Sequence, residues 1–242
     1  MVLARDRDRE LVALAAEVAE MGGLAERLVM DSVSALTRID ATRARAVIEA
    51  DLKLDAMQRS VENRVVDLIA AHRPADKPLR ELVSAMRIAA DLERVGDLAK
   101  NNGKRVLAIE GRAYPPRVAV GVEHMSDIAL EQLKTVLDAY TSQDLRAALD
   151  VRSRDDEVDA IYTSIFRELL TYMMEDPRNI TFCTHLLFCA KNIERIGDHA
   201  TNIAENIHYL VTGEQPVEAR TKADVTSYLN ADWCETDGTW RR

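Results

Sequence analysis

Four acidic pairs carry the chemistry this chain could do: Asp51 with Asp55, Glu93 with Asp97, Asp155 with Asp159, and Glu194 with Asp198. Within each pair the spacing is four residues. On an α-helix that spacing stacks two side chains one turn apart on the same side. Each pair can therefore present two carboxylates to one cation. Carboxylate oxygens suit hard cations such as magnesium or manganese, and also iron.

The pairs belong to a duplication. The stretch Leu92-Glu93-Arg94-Val95-Gly96-Asp97-Leu98-Ala99-Lys100-Asn101 returns as Ile193-Glu194-Arg195-Ile196-Gly197-Asp198-His199-Ala200-Thr201-Asn202, with six of ten positions identical and an offset of 101 residues. Asp51 and Asp55 return as Asp155 and Asp159 at an offset of 104. Val47, Leu54, Val61 and Val65 match Val151, Val158, Ile165 and Leu169 at that same offset. A second inter-helix loop three residues shorter than the first accounts for the difference.

Position on the helix sharpens the reading. At about 100° per residue, Asp51 falls about 60° from Leu54 at the centre of its apolar stripe, and Asp55 about 100° away. Asp155 and Asp159 repeat this around Val158, and Glu93 and Asp97 lie at one edge of their own stripe. The acids thus sit where a helix turns from core to water. If the two seams of one unit face each other, four carboxylates converge and need raised pKa values or a shared cation. Asn101 and Asn202, one turn beyond the Asp, could add a carbonyl oxygen. Gly96 and Gly197 each cost about 1 kcal/mol against Ala inside a helix, which points to close approach of a neighbouring backbone or ligand. The plain alternative is a solvated face, with Arg94 and Arg195 pairing with the acids as ordinary salt bridges.

The elements that must hold these residues are helices. Apolar residues recur at helical spacing from Arg9 to Leu36, and helices of about 41–71 and 79–110 follow. Asp40 with Thr42 marks a stop and N-cap region, the prolines Pro74 and Pro78 mark a loop and a helix start, and Gly111 closes the third helix. Tyr114-Pro115-Pro116 is the best domain boundary. Helices of about 118–140, 144–174 and 179–211 then repeat the plan, ended by Gly213 and Pro216. Long helices with short loops pack antiparallel. The expected fold is all-α: two tandem three-helix bundles, residues 1–113 and 114–213. Residues 214–242 form a tail without periodicity, expected to be disordered, whose Trp233 and Trp240 could dock a partner.

Composition agrees. Hydrophobic residues make up 47% and aromatics 5%, so the core is built from aliphatic side chains, and Gly and Pro are sparse. A net charge of −9 argues against sequence-independent nucleic-acid binding. No apolar run reaches the ~20 residues that span a bilayer, and the N-terminus lacks a signal-peptide core, so a cytoplasmic protein is expected. Cys183, Cys189 and Cys234 form no C-x-x-C pair, and the first two read as core residues. A ferritin-like di-metal oxidase needs two Glu-x-x-His pairs. Glu205 to His208 is the single such spacing, and His199 and His208 read as surface or boundary residues. The sequence holds no P-loop, G-x-G-x-x-G or G-x-S-x-G motif.

The duplicated E-R-[VI]-G-D-x-A-x-N motif with its D-x-x-[LV]-D partner resembles the PhoU family, accessory regulators of bacterial phosphate-specific transport. The resemblance covers about Arg9 to Val211. It implies two three-helix bundles and no catalysis. It also implies metal clusters in some members, of iron or zinc, magnesium or manganese, on residues matching Asp51, Asp55, Glu93, Asp97, Asp155, Asp159, Glu194 and Asp198. The implied role is negative regulation of the phosphate-starvation response. A homodimer would couple the transporter's ATPase to a membrane sensor histidine kinase, reaching the membrane through those partners alone. A metal-free helical adaptor is the competing reading.

Overall fold

The structure is a computed structural model and describes residues 2–111 and 116–216. Seven α-helices follow in order: α1 (Val2–Arg38), α2 (Ala41–His72), α3 (Asp76–Ala108), α4 (Pro116–Ser142), α5 (Leu145–Ser153), α6 (Asp155–Glu175) and α7 (Ile180–Thr212). A 3-10 turn at Pro177–Asn179 precedes α7, and there is no strand among the described residues. The tail residues Trp233, Trp240 and Cys234, and Tyr114 and Pro115 at the expected boundary, lie outside the described residues.

Helices α1, α2 and α3 pack as one three-helix bundle, and α4, α5–α6 and α7 as the other. The duplication extends to the corners. α1 and α4 each end in a residue of left-handed conformation, Ile39 (φ 51°) and Gln143 (φ 54°). An aspartate N-cap follows in both. Asp40 accepts from the Arg43 amide, and Asp144 accepts from the amides of Arg146 and Ala147. Such a cap satisfies amides that the first turn leaves without intrahelical partners. Gly213 (φ 84°) closes α7, as expected, whereas α3 ends at Ala108, short of Gly111.

The second helix of the second unit differs from expectation. A single helix over 144–174 is expected, yet α5 and α6 meet at a break on Arg154 (φ −104°, ψ 15°). The Arg154 amide closes a tighter bond to the Val151 carbonyl at 3.1 Å. Its carbonyl accepts from the buried Gln132 side-chain amide at 2.9 Å. Its guanidinium is held by Glu157 and Glu131. These partners stabilise a break that no proline or glycine announces.

The bundles are not beads on a string. α3 packs along α7, and α1 packs on α4. Buried aliphatic side chains from both units, among them Leu36, Leu54, Ile88, Leu133, Leu186 and Ile193, form one core. Cys183 and Cys189 are free thiols within it, and burial pushes the Cys189 thiol up to about 12. No helix of the described residues is long and apolar enough to cross a membrane.

Candidate functional site

The first acidic seam runs between α2 and α3. Val47, Leu54, Val61 and Val65 bury one face of α2, and Asp51 is carried in with them until it is 1% exposed. Asp55, farther round the helix, stays at the rim. Across from them α3 supplies Glu93 and Asp97, both partly exposed. The closeness of the two helices depends on Gly96. A Cβ there would overlap Leu54 Cδ2 and lie 3.1 Å from Asp51 Oδ1.

A side chain of the protein fills the cation's place. Lys100 Nζ bridges Asp51 Oδ2 and Asp97 Oδ1, each at 2.5 Å. Burial alone would lower the lysine pKa, but the hydrogen bonds to Asp51 and Asp97 outweigh it and hold the ammonium firmly protonated. Burial raises the Asp51 carboxyl, and the ammonium pulls it back part way. Glu93 is raised by burial and by Asp97, with Arg94 opposing. Arg94 reaches both Glu93 (3.5 Å) and Asp97 (3.6 Å) from an exposed position, so its contribution is small. Asp51 Oδ1 and Asp55 Oδ1 are buried with no hydrogen-bond partner.

The second seam, between α6 and α7, has the same acids and a different balance. Asp155 and Asp159 are both buried, and the Thr201 hydroxyl donates to Asp155 Oδ1 at 2.7 Å. Glu194 is 3% exposed. Lys191 touches its Oε1 at 2.9 Å while lying 4.9 Å from the Tyr162 ring centroid. Glu194 Oε2 is buried without a hydrogen-bond partner. Burial pushes the Glu194 carboxyl up to about 7, Lys191 opposes the rise, and Asp198 and Asp159 add to it. Gln132 on α4 is 1% exposed, and its Oε1, also without a partner, lies 3.5 Å from where a Cβ on Gly197 would stand.

The structure therefore brings Asp51, Asp55, Glu93 and Asp97 to one seam, and Asp155, Asp159, Glu194 and Asp198 to the other. Among the described residues, no group of three or more His, Cys, Asp or Glu is gathered closely enough to hold a metal ion as they stand. The two asparagines are not in the seams. Asn101 is exposed, and Asn202 turns to the α3–α7 contact, where its amide donates to Asp91 Oδ1 at 3.1 Å. His199 meets the same oxygen at 2.9 Å, and Asn206 approaches Asp91 Oδ2 at 3.5 Å. His199 is thus a joint between the two units, and His208 lies against the Glu214 carbonyl.

Sequence reasoning passed over Lys100, Lys191, Thr201, Gln132 and Asp91. A signal for two of them was present. Within the repeated decad the copies differ in chemistry at Leu98/His199 and Lys100/Thr201. His199, Lys100 and Thr201 all carry polar contacts of the interface or the seams.

Comparison with known proteins gives the family. The model of the PhoU domain matches twice, at residues 18–106 and 122–207. The phosphate-specific transport system accessory protein PhoU homolog of Rhizobium meliloti is 57% identical over 224 residues, 93% of this chain and 94% of that protein. The homolog of the same name from Caulobacter vibrioides is 51% identical over 218 residues, 90% and 95% of the two chains. The crystal structure of PhoU from Pseudomonas aeruginosa superposes with a TM-score of 0.82 at 37% identity, covering 86% of this chain and 99% of that one. The chain belongs to the PhoU family.

Proposed function

We propose that this chain is a regulatory accessory protein of phosphate-specific transport that holds the phosphate-starvation response down when phosphate is ample. The observation carrying this reading is similarity along nearly the whole chain to proteins named as accessory proteins of that system. On this reading the protein is not an enzyme. It acts as a cytoplasmic homodimer between the transporter's ATPase and a sensor histidine kinase, favouring the kinase's phosphatase state.

The helical body supports an adaptor role. Its long helices offer extended faces, and its titratable clusters are bound up in packing between helices. The seams add a route to tuning. Buried carboxylate oxygens without donors, Asp51 Oδ1, Asp55 Oδ1 and Glu194 Oε2, suit a divalent or ferric ion: iron, zinc, manganese or magnesium. In the second seam Asp155, Asp159, Glu194 and Asp198 would hold it once drawn together, in place of the ammonium of Lys191 that meets Glu194 at 2.9 Å. There it would supply positive charge that offsets the mutual repulsion of the acids and tightens α6 against α7. In the first seam Lys100 already stands between Asp51 and Asp97.

Deletion of the gene tests the proposal. Alkaline phosphatase or a comparable starvation reporter should stay on in phosphate-rich medium and return to repression on complementation. Normal repression in the deletion strain would overturn it. Co-purification of the transporter's ATPase and the kinase with the tagged full chain, compared at high and low phosphate, tests the partners. Absence of both at either phosphate level would count against the coupling role.

A further inference from the structure

Between α3 and α7 runs an open groove, lined by Arg87, Asp91 and Arg94 on one side and His199, Asn202 and Asn206 on the other. Helical spacing extends it. Arg105 stands eighteen residues beyond Arg87, five turns along the same side of α3, and Arg195 stands seven residues, about two turns, before Asn202. The Arg105 guanidinium lies over the Phe188 ring, 3.9 Å from its centroid, and Phe188 is 49% exposed. The acids of the groove are already engaged. Asp91 accepts from Asn202 and meets His199, and Glu205 pairs with Arg152 at 3.4 Å. Arg94 reaches Glu93 and Asp97 at 3.5 and 3.6 Å, whereas Arg87, Arg105 and Arg195 make no ion pair among the described residues. In a chain of net charge −9, this face is left basic.

The chain leads its own C-terminal segment to this groove. Gly213 (φ 84°) turns the backbone off the end of α7. The Glu214 amide donates to the Thr212 hydroxyl at 3.1 Å, and the Glu214 carbonyl meets His208 Nδ1 at 2.9 Å, which fixes the turn. Gln215 then lines the groove. Residues 217–242 lie outside the described residues, and their sequence supplies what the groove lacks. The stretch from Asp224 to Asp237 holds four acids, Asp224, Asp232, Glu235 and Asp237, and no Lys, Arg or His. Tyr228, Leu229 and Trp233 fall among them. Trp233 is eighteen residues beyond Gln215, a span of at most about 60 Å when extended. The groove from Arg87 to Arg105 is about 27 Å long.

We propose that residues 224–237 dock in the α3–α7 groove of their own chain, with their acids against Arg87, Arg105 and Arg195 and with Trp233 on the exposed pair of Phe188 and Arg105. Guanidinium groups pair with carboxylates and stack on aromatic faces. Exposed ion pairs are individually weak, so the aromatic anchor has to add to them. The tether helps, because a segment joined to its site by a short linker stays at high effective concentration. The docked segment covers the groove, and a partner of the motif helices would have to displace it.

Trp233 and Trp240 are the two tryptophans of the chain, so its tryptophan emission reports this segment alone. Full-length Trp240→Phe, with Trp233 as the sole emitter, is compared with a peptide of residues 217–242 carrying the same change. The folded chain should emit to the blue of the peptide and resist acrylamide quenching severalfold better. Arg105→Glu combined with Arg195→Glu should return both readings to those of the peptide, and high salt should move them the same way. Phe188→Ala, a change without charge, should also remove the protection. Circular dichroism checks that each variant is folded, and either one decides if the other does not fold. Emission and quenching equal to those of the peptide overturn the proposal. So does protection that the arginine and Phe188 variants leave intact, or protection lost instead in Val12→Glu, which alters the separate apolar cleft of Leu11, Val12 and Leu210. Protection that disappears on dilution would place the segment on a second copy and overturn docking within the chain.

Discussion

The motif glycines offer a quantitative test, because the same substitution should have opposite effects in the two repeats. Alanine gains about 1 kcal/mol over glycine inside a helix. At Gly197 the new methyl would meet Val158 Cγ2 at 3.4 Å and Gln132 Oε1 at 3.5 Å, ordinary contacts that cost little. Gly197→Ala should therefore stabilise by about 1 kcal/mol. At Gly96 the methyl would overlap Leu54 Cδ2, and Leu54 is fully buried, so it has no open space to swing into. Overpacking of this kind costs about 1–3 kcal/mol. Set against the propensity gain, Gly96→Ala should lie between neutral and about 2 kcal/mol destabilising. For a chain of this size each kcal/mol moves the melting temperature by about 2–4 °C. Calorimetry should thus show a rise of about 2–4 °C for Gly197→Ala and no rise, or a fall of up to about 8 °C, for Gly96→Ala. Equal rises for both variants would refute the claim that α2 and α3 approach more closely than α6 and α7 do at the motif.

Two further outcomes follow from the polar contacts. Glu194 has its carboxyl raised to about 7 when folded, from 4.5. The folded state therefore keeps a proton that the unfolded state releases, so stability falls as pH rises from about 4.5 to 7 and levels off above, by up to ~3 kcal/mol. Urea melts of chelator-treated protein should show that slope, and Glu194→Gln should flatten it; an unchanged slope would clear Glu194 of responsibility. Asp91→Ala removes the acceptor shared by His199 and Asn202 between the units and should cost about 1–3 kcal/mol in urea melts. A cost below about 0.5 kcal/mol, the usual range of surface substitutions, would show that this joint is solvated rather than structural.

Much of the architecture was legible because it rests on periodicity. The apolar stripe around Leu54 placed Asp51 nearer the core than Asp55, and Asp51 is indeed the more buried of the two. The duplicated decad located α3 and α7, and the corner at Asp40 was marked by its capping chemistry. What stayed hidden depends on contacts between distant segments. The break at Arg154 is supported by Gln132 and Glu131 on α4, which no local pattern connects to it. Lys100 lies seven residues after Glu93 and three after Asp97, close to their side of the helix, so its neutralising role could have been drawn from spacing. That it also reaches Asp51 on α2 could not. Asn202 looks like a seam ligand in one dimension and turns to α3 in three, because Asp91 on that helix draws it away.

The α3–α7 contact has a topological consequence. The two motif helices form a two-rod spine, about 50 Å long at 1.5 Å per residue. Each rod carries its acidic seam against a different outer helix, α2 on one and α6 on the other. Each rod also carries the lysine of its seam, Lys100 on α3 and Lys191 on α7, so the spine is a rail with one basic side chain set into each flank. A displacement of α2 or α6 along the rail would be met by charged side chains on its own flank.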